Sequence, residues 1–272
     1  MREARAFFDQ VEVDRLRPKP VVQITGEFYL HSVEGDPNYN MHAWLESEGA
    51  EVIPATIALW MDYLIRWAKQ EIEARRATLP DAGRRMLLAR AVQAMLHFTH
   101  NRLRRALHDV PDPLPDQEEI RRLAEPYFHH RMSGGEGDML IGKALYAHLH
   151  RHAHMICELS PYGCLPNTMS VGAMANALGK HPDLLYAPIE VKGDAEVHAL
   201  SRCQMILTEA KKRAAAEFEK ALDVAGLTLD QARERVANQP AMRRATWRVP
   251  HHGAAGTAAN LVLHLAGRSM PA

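Results

Sequence analysis

Cysteine is scarce: three residues, Cys157, Cys164 and Cys203, in a chain of 272. So few thiols, so unevenly spaced, exclude a disulfide framework, and a reducing, cytoplasmic setting is the expectation. Long apolar runs are missing too. No stretch reaches the ~18 apolar residues that a membrane span takes, and MREARAFFDQVEVDRLRPKP at the N-terminus has no signal-peptide core. Neither sign of charge dominates: 33 Lys and Arg balance 33 Asp and Glu. That balance argues against nucleic acid or an anionic membrane as the partner of the chain as a whole. Internal repeats and low-complexity segments are also absent.

What is there is ordinary for a globular protein: 47% hydrophobic and 24% charged residues, with length enough for one large domain or two small ones. Short apolar runs alternate with longer helical patterns, which predicts an α/β fold with a parallel, Rossmann-like sheet of about four strands. The strands are read at VVQITGEFYL (21–30), ending at Gly26-Glu27, and at EVIPA (51–55), MICELSP (155–161) and LLYAPIEV (184–191). Residues 56–76 carry Ile57, Trp60, Met61, Leu64, Ile65 and Ala68 at helical spacing, and 82–108 continue helically with Arg-rich faces. The prolines of DVPDPLPD (109–116) must interrupt any helix.

Further helices are expected at about 116–125, after the Gly-rich stretch that opens residues 132–152, over TMSVGAMANALG up to Gly179, and from Asp194 to about Val224. YGCLPN (162–167) reads as a loop. The organisation predicted is an N-terminal extension (1–19), an α/β core (20–55 and 136–225), a helical insertion (56–135), and a C-terminal helix with a small-residue tail (226–272).

In open parallel sheets, sites form beyond the carboxyl ends of the strands. Four stretches should converge there: Gly26-Glu27, Pro54-Ala55, Ser160 to Asn167, and Glu190 to Asp194. Among them Cys164 is the residue with the most chemistry. A thiol between a strand end and a helix start meets free backbone N–H groups and the positive end of the helix dipole. It can serve as a metal ligand, as a nucleophile with His251 or His252 brought near by folding, or simply as a turn residue. Cys157, inside an apolar strand, and Cys203, on a helix, read as structural thiols. His148/His152 and His150/His154 stand four residues apart, as a helical zinc pair would, but without the His-Glu-x-x-His pattern. SGGEGD (133–138) is a weak anion-loop candidate, lacking a complete phosphate-loop pattern.

The stretches GEGDMLIGKAL, ICELSPYGCLPNTMSVGAMANAL and LYAPIEVKGDAEVHALSR resemble the family of 2-hydroxyacyl-CoA dehydratase and benzoyl-CoA reductase subunits. The resemblance is nearest to the non-ATPase region of acyl-CoA dehydratase activase-related proteins. The family's Pro-Phe-Gly-Cys-Leu-Pro-Asn loop is matched by Pro161-Tyr162-Gly163-Cys164-Leu165-Pro166-Asn167. Its strand end Gly-Glu-Ile-Tyr is matched by Gly26-Glu27-Phe28-Tyr29, and its Gly-Glu-Gly by Gly135-Glu136-Gly137. Its C-terminal Gly-Thr-Ala-Ala-Asn is matched by Gly256 to Asn260, so the likeness spans roughly residues 20–265 in order.

The resemblance implies a Rossmann-like domain in which Cys164 ligates an iron–sulfur cluster, 4Fe–4S or larger. Gly163, Asn167, Ser160, Gly26 and Glu27 would frame that site. The implied activity is low-potential electron transfer in an ATP-coupled acyl-CoA dehydratase or reductase system. The chain departs from the family in carrying few cysteines and no phosphate-binding motif of an actin-like ATPase. The expectation is therefore a module whose remaining ligands and ATPase domain come from a protein partner or a second copy. A cofactor-free scaffold subunit of such a complex is the alternative.

Overall fold

The structure, a computed structural model, describes residues 1–132 and 135–271. After a short helix α1 (Arg2–Phe8), the chain enters strand β1 (Val21–Gly26), which is buried along almost its whole length. The strand ends at Gly26, in line with the end expected from the sequence at Gly26-Glu27. Gly26 has φ of 121°, and a Cβ there would lie 1.9 Å from the carbonyl oxygen of Leu159. No other residue fits so close a crossing. Glu27 then turns the chain: its carboxylate accepts the Leu30 N–H at 3.0 Å and caps helix α2 (Phe28–Ser32). The run Phe28-Tyr29-Leu30 beyond it is therefore helical.

Helix α3 (Met41–Ser47) leads to strand β2 (Glu51–Pro54). Helices α4 (Ile57–Ala74) and α5 (Ala82–Ala106) form a long hairpin, followed by α6 (Gln117–Ala124) and α7 (Gly137–Leu149). Strand β3 (Met155–Pro161), helix α8 (Leu165–Lys180) and strand β4 (Leu185–Val191) come next. The chain ends with α9 (Glu196–Ala225), α10 (Leu229–Ala237) and α11 (Thr257–Ala266).

The four strands form one all-parallel sheet in the order β2-β1-β3-β4. Helices cover both faces, as a parallel sheet requires. On one face Ile24, Met155, Cys157 and Ile189 pack against α3 and α9 through Leu45, Cys203 and Leu207. On the other, Val21, Ile156 and Tyr186 pack against α7 and α8 through Ile141, Leu145 and Met174. This is the Rossmann-like α/β architecture that the alternating pattern predicted.

Two further boundaries move. Helix α8 begins at Leu165, so Leu165, Pro166 and Asn167 belong to its first turn and not to a loop, and Cys164 is its N-cap residue. Proline suits that first turn because its fixed φ is already helical and its missing N–H has no partner to lose. Gly179 lies inside the helix, which ends at Lys180. The small residues of the C-terminal stretch are interior. Ala254, Ala258 and Ala259 let α11 approach α9 closely, and Leu261, Val262 and Leu263 join Phe218, Ala221 and Leu222 in a second core. No helix among the described residues is long and apolar enough to cross a membrane.

Candidate functional site

In the order β2-β1-β3-β4, the chain leaves β1 toward β2 on one side and β3 toward β4 on the other. The carboxyl ends of β1 and β3 therefore flank the switch point, where such sheets open a crevice. Three of the stretches singled out from sequence meet there. Glu27 N–H donates to Leu159 O at 2.8 Å, which ties the end of β1 to β3. The Cys164 turn follows β3 directly, with Gly163 at φ 73°. Gly135 lies so close to α8 that a Cβ on it would stand 2.3 Å from Pro166 Cγ. Ser133 and Gly134 of the Gly-rich loop lie outside the described residues, so that loop is placed only from Gly135 onward.

Beneath the crevice lies a set of polar groups inside the α7–α8 side of the sheet. Glu158 on β3 is fully buried. Its carboxylate accepts from Tyr186 OH at 2.9 Å, Ser170 Oγ at 3.0 Å and Asn167 Nδ2 at 3.3 Å. Cys164 Sγ donates in turn to Asn167 Oδ1 at 3.2 Å. A continuous hydrogen-bonded path thus runs from the thiol at the crevice to a carboxylate in the interior. Burial pushes the Glu158 carboxyl up, against the three hydrogen bonds and the charge of Lys143, which pull it down. Lys143 on α7 is itself buried; loss of water drives its ammonium down to about 7, although Glu158 supports the charge.

His31 on α2 completes the group. Burial, then the charge of Lys143, hold its imidazole down at about 4, and its Nδ1 has no hydrogen-bond partner among the described residues. At the rim, burial raises the Glu136 carboxyl, and the charge of Glu27 adds to that rise. Glu27 has a structural task as well, as the cap of α2. Ser160, two residues beyond Glu158 on β3, is buried at the same strand end.

The other sequence candidates go elsewhere. Cys157 and Cys203 are buried side by side, and their mutual hydrogen bond together with burial pushes the Cys157 thiol well up. The histidine pairs do not share a helix face, because α7 ends at Leu149 and Arg151 takes a left-handed φ of 51°. Three of the four find different carboxylates: His148 with Asp183 at 3.5 Å, His150 with Glu119 at 2.8 Å, and His154 with Glu217 at 3.0 Å, while His152 stacks on Tyr146. Among the described residues no three His, Cys, Asp or Glu groups are placed to hold one metal ion.

His251 and His252 lie at the opposite end of the sheet from Cys164. There His251 Nε2 meets Arg151 O and the His252 N–H donates to Asn260. Folding brings neither to the thiol, so a Cys–His nucleophile is not assembled. The Gly256–Asn260 run also sits at that far end, where Thr257 Oγ1 donates to Glu51 at 2.7 Å.

An iron–sulfur cluster takes about four cysteine thiolates. With Cys157 and Cys203 enclosed in the core, this chain offers one accessible thiol, Cys164. The residues fit a single ligand of a shared cluster and do not fit a cluster held by this chain alone. Sequence reasoning missed Lys143, Glu158, His31 and Tyr186. Two of them carried a signal: Glu158 is the lone charge in the strand MICELSP, and Lys143 the lone charge in the apolar helix run MLIGKALYAHL. Compared with protein-family models, characterised proteins and solved structures, the chain matches none.

Proposed function

We propose that this chain is a module of a larger electron-transfer assembly and donates Cys164 as one ligand to an iron–sulfur cluster completed by another polypeptide. The observation that carries the reading is the position of Cys164. It is the one thiol outside the core, and it caps a 16-residue helix beyond the carboxyl end of β3, beside the switch point. The resemblance to acyl-CoA dehydratase activase-related proteins supports the same assignment and points to an ATP-coupled reductive reaction on a CoA thioester. When bound, such a cluster supplies one-electron transfer at low potential.

The chain's own residues would do the rest. Asn167, held by Glu158 at 3.3 Å, fixes the direction from which the Cys164 sulfur is approached. Backbone N–H groups at the start of α8 favour the negative charge of a thiolate.

The test is anaerobic purification with the proteins encoded beside this one, followed by iron and sulfide analysis and EPR. The reading expects a cluster in the complex that Cys164→Ser removes or converts to a different EPR species. A Cys164→Ser complex with unchanged iron and an unchanged spectrum would sink the ligand assignment. A complex that stays iron-free after reconstitution would replace the reading by that of a cofactor-free scaffold subunit.

A further inference from the structure

Helix α5 is 25 residues long, and none of its residues is buried. Its inner side meets α4 through polar groups: Gln93 Nε2 and His97 Nε2 both hydrogen-bond the buried Asp62, at 2.8 and 2.9 Å. The side turned away from α4 carries Leu88, Val92, Met95 and Phe98, at helical spacings of three and four, and Leu87 beside them. Met95 and Phe98 are 65% and 64% exposed, far more than large apolar side chains on a solvated helix require. Arg84 and Arg85 stand at one end of this stripe, Arg102 and Arg105 at the other, all exposed. The helix contains six arginines and no Asp or Glu. Next to the stripe, between the tips of α4 and α5, lies a cleft of about 290 Å³ walled by Ile72, Met86, Leu87 and Arg90.

An apolar centre with a cationic rim is the anatomy of a protein interface. The charge decides which occupant fits. A second copy laid on α5 in either direction would set arginine against arginine at both ends. A flat anionic bilayer would leave the cleft unfilled, and the nearby carboxylates of Glu71 and Glu73 are already paired with Arg75 and Arg76. An amphipathic helix with acidic termini satisfies all three features: apolar side chains on the stripe, one of them in the cleft, and carboxylates on the arginine pairs. We infer that the outer face of α5 is a docking surface for an acidic-ended amphipathic helix of a partner protein. The inference goes beyond the reading of Cys164 and stands whether or not that residue binds iron.

The probe is a synthetic helix of about 20 residues, some 30 Å long, with leucines along one face and glutamates in its first and last turns. A control peptide carries lysines in place of the glutamates. Binding is read by fluorescence anisotropy with the full chain. The glutamate peptide is expected to bind at least tenfold more tightly than the lysine peptide. Met95→Glu and, separately, Leu88→Glu should each weaken it at least tenfold with unchanged circular dichroism, since neither side chain is part of the core. Equal binding of the two peptides, or binding indifferent to both substitutions, overturns the inference. So does sedimentation with phosphatidylserine–phosphatidylcholine vesicles that Met95→Glu abolishes, which assigns the face to lipid. Self-association that Met95→Glu abolishes assigns it to a second copy and likewise overturns it.

Discussion

Lys143 and Glu158 are the residues on which the interior of the site turns. Each sits where the surrounding sequence is apolar, and each would be expensive to bury alone. The hydrogen bonds from Tyr186, Ser170 and Asn167 satisfy the carboxylate, while the ammonium has mainly the charge of Glu158 to offset its lost hydration. The consequence is a pH dependence with a definite sign. Lysine keeps its proton to 10.5 in the unfolded chain but only to about 7 in the fold. Between those values the unfolded chain binds the extra proton. Lys143 therefore contributes stability that is fully present above 10.5, falls with pH at up to about 1.4 kcal/mol per unit, and is lost below 7. Urea denaturation of Lys143→Met from pH 6 to 10 should show a flatter profile than the wild type. Parallel profiles for the two proteins would mean that Lys143 is hydrated in the fold.

At the level of elements, strand positions were legible in the sequence because a strand buried on both faces reads as a short unbroken apolar run between turn residues. MICELSP and its neighbour LYAPIEV are the clearest cases. The end of β1 at Gly26-Glu27 was legible too. What the sequence did not show is the reason for that glycine, a close crossing with Leu159, distant in sequence. The start of α8 was missed for a local reason, since a proline in the first turn looks like a loop signal until the cap before it is seen. The α4–α5 hairpin shows what polar docking implies. Asp62 is its one fully buried carboxylate, and it holds both Gln93 and His97. Asp62→Ala should weaken the seating of α5 by ~1–3 kcal/mol. Hydrogen exchange measured by mass spectrometry should then speed up across 82–106 while β1 and β3 keep their protection. Unchanged exchange in α5 would show that its apolar contacts suffice.

For the whole molecule, the junction between sheet and C-terminal core rests on one hydrogen-bonded pair and its neighbours. The Val21 N–H donates to His154 Nδ1 at 2.9 Å, so His154 Nε2 carries the proton that Glu217 accepts at 3.0 Å. Glu217 also receives the N–H groups of Ala255 and Gly256 at 2.9 and 2.7 Å. Burial pushes this carboxyl up, but the hydrogen bonds from His154, Ala255 and Gly256 outweigh it and hold it below its ordinary 4.5. Its stabilisation is present above 4.5 and disappears as pH falls through the lowered folded value. Glu217→Gln should cost ~2 kcal/mol at pH 7. The gap from wild type should close on acidification below 4.5, as read by urea midpoints; a gap constant with pH would assign the loss to packing. None of this joint was visible in the sequence. The run Gly256 to Asn260 stood out only as a family match, and its Thr257 braces the amino end of β2 through Glu51.

The parallel pairing of β1 with β3 has a consequence in time. Val22 meets Met155, more than a hundred residues later in the chain. During synthesis β1 emerges with its central neighbour still unmade, whereas the α4–α5 hairpin is complete as soon as its own residues are out. Contacts this distant close slowly. With β2 already available to one edge of β1, the nascent chain thus displays the other edge unpaired beside an already formed helical hairpin, and this interval is the period in which misassembly threatens this fold most.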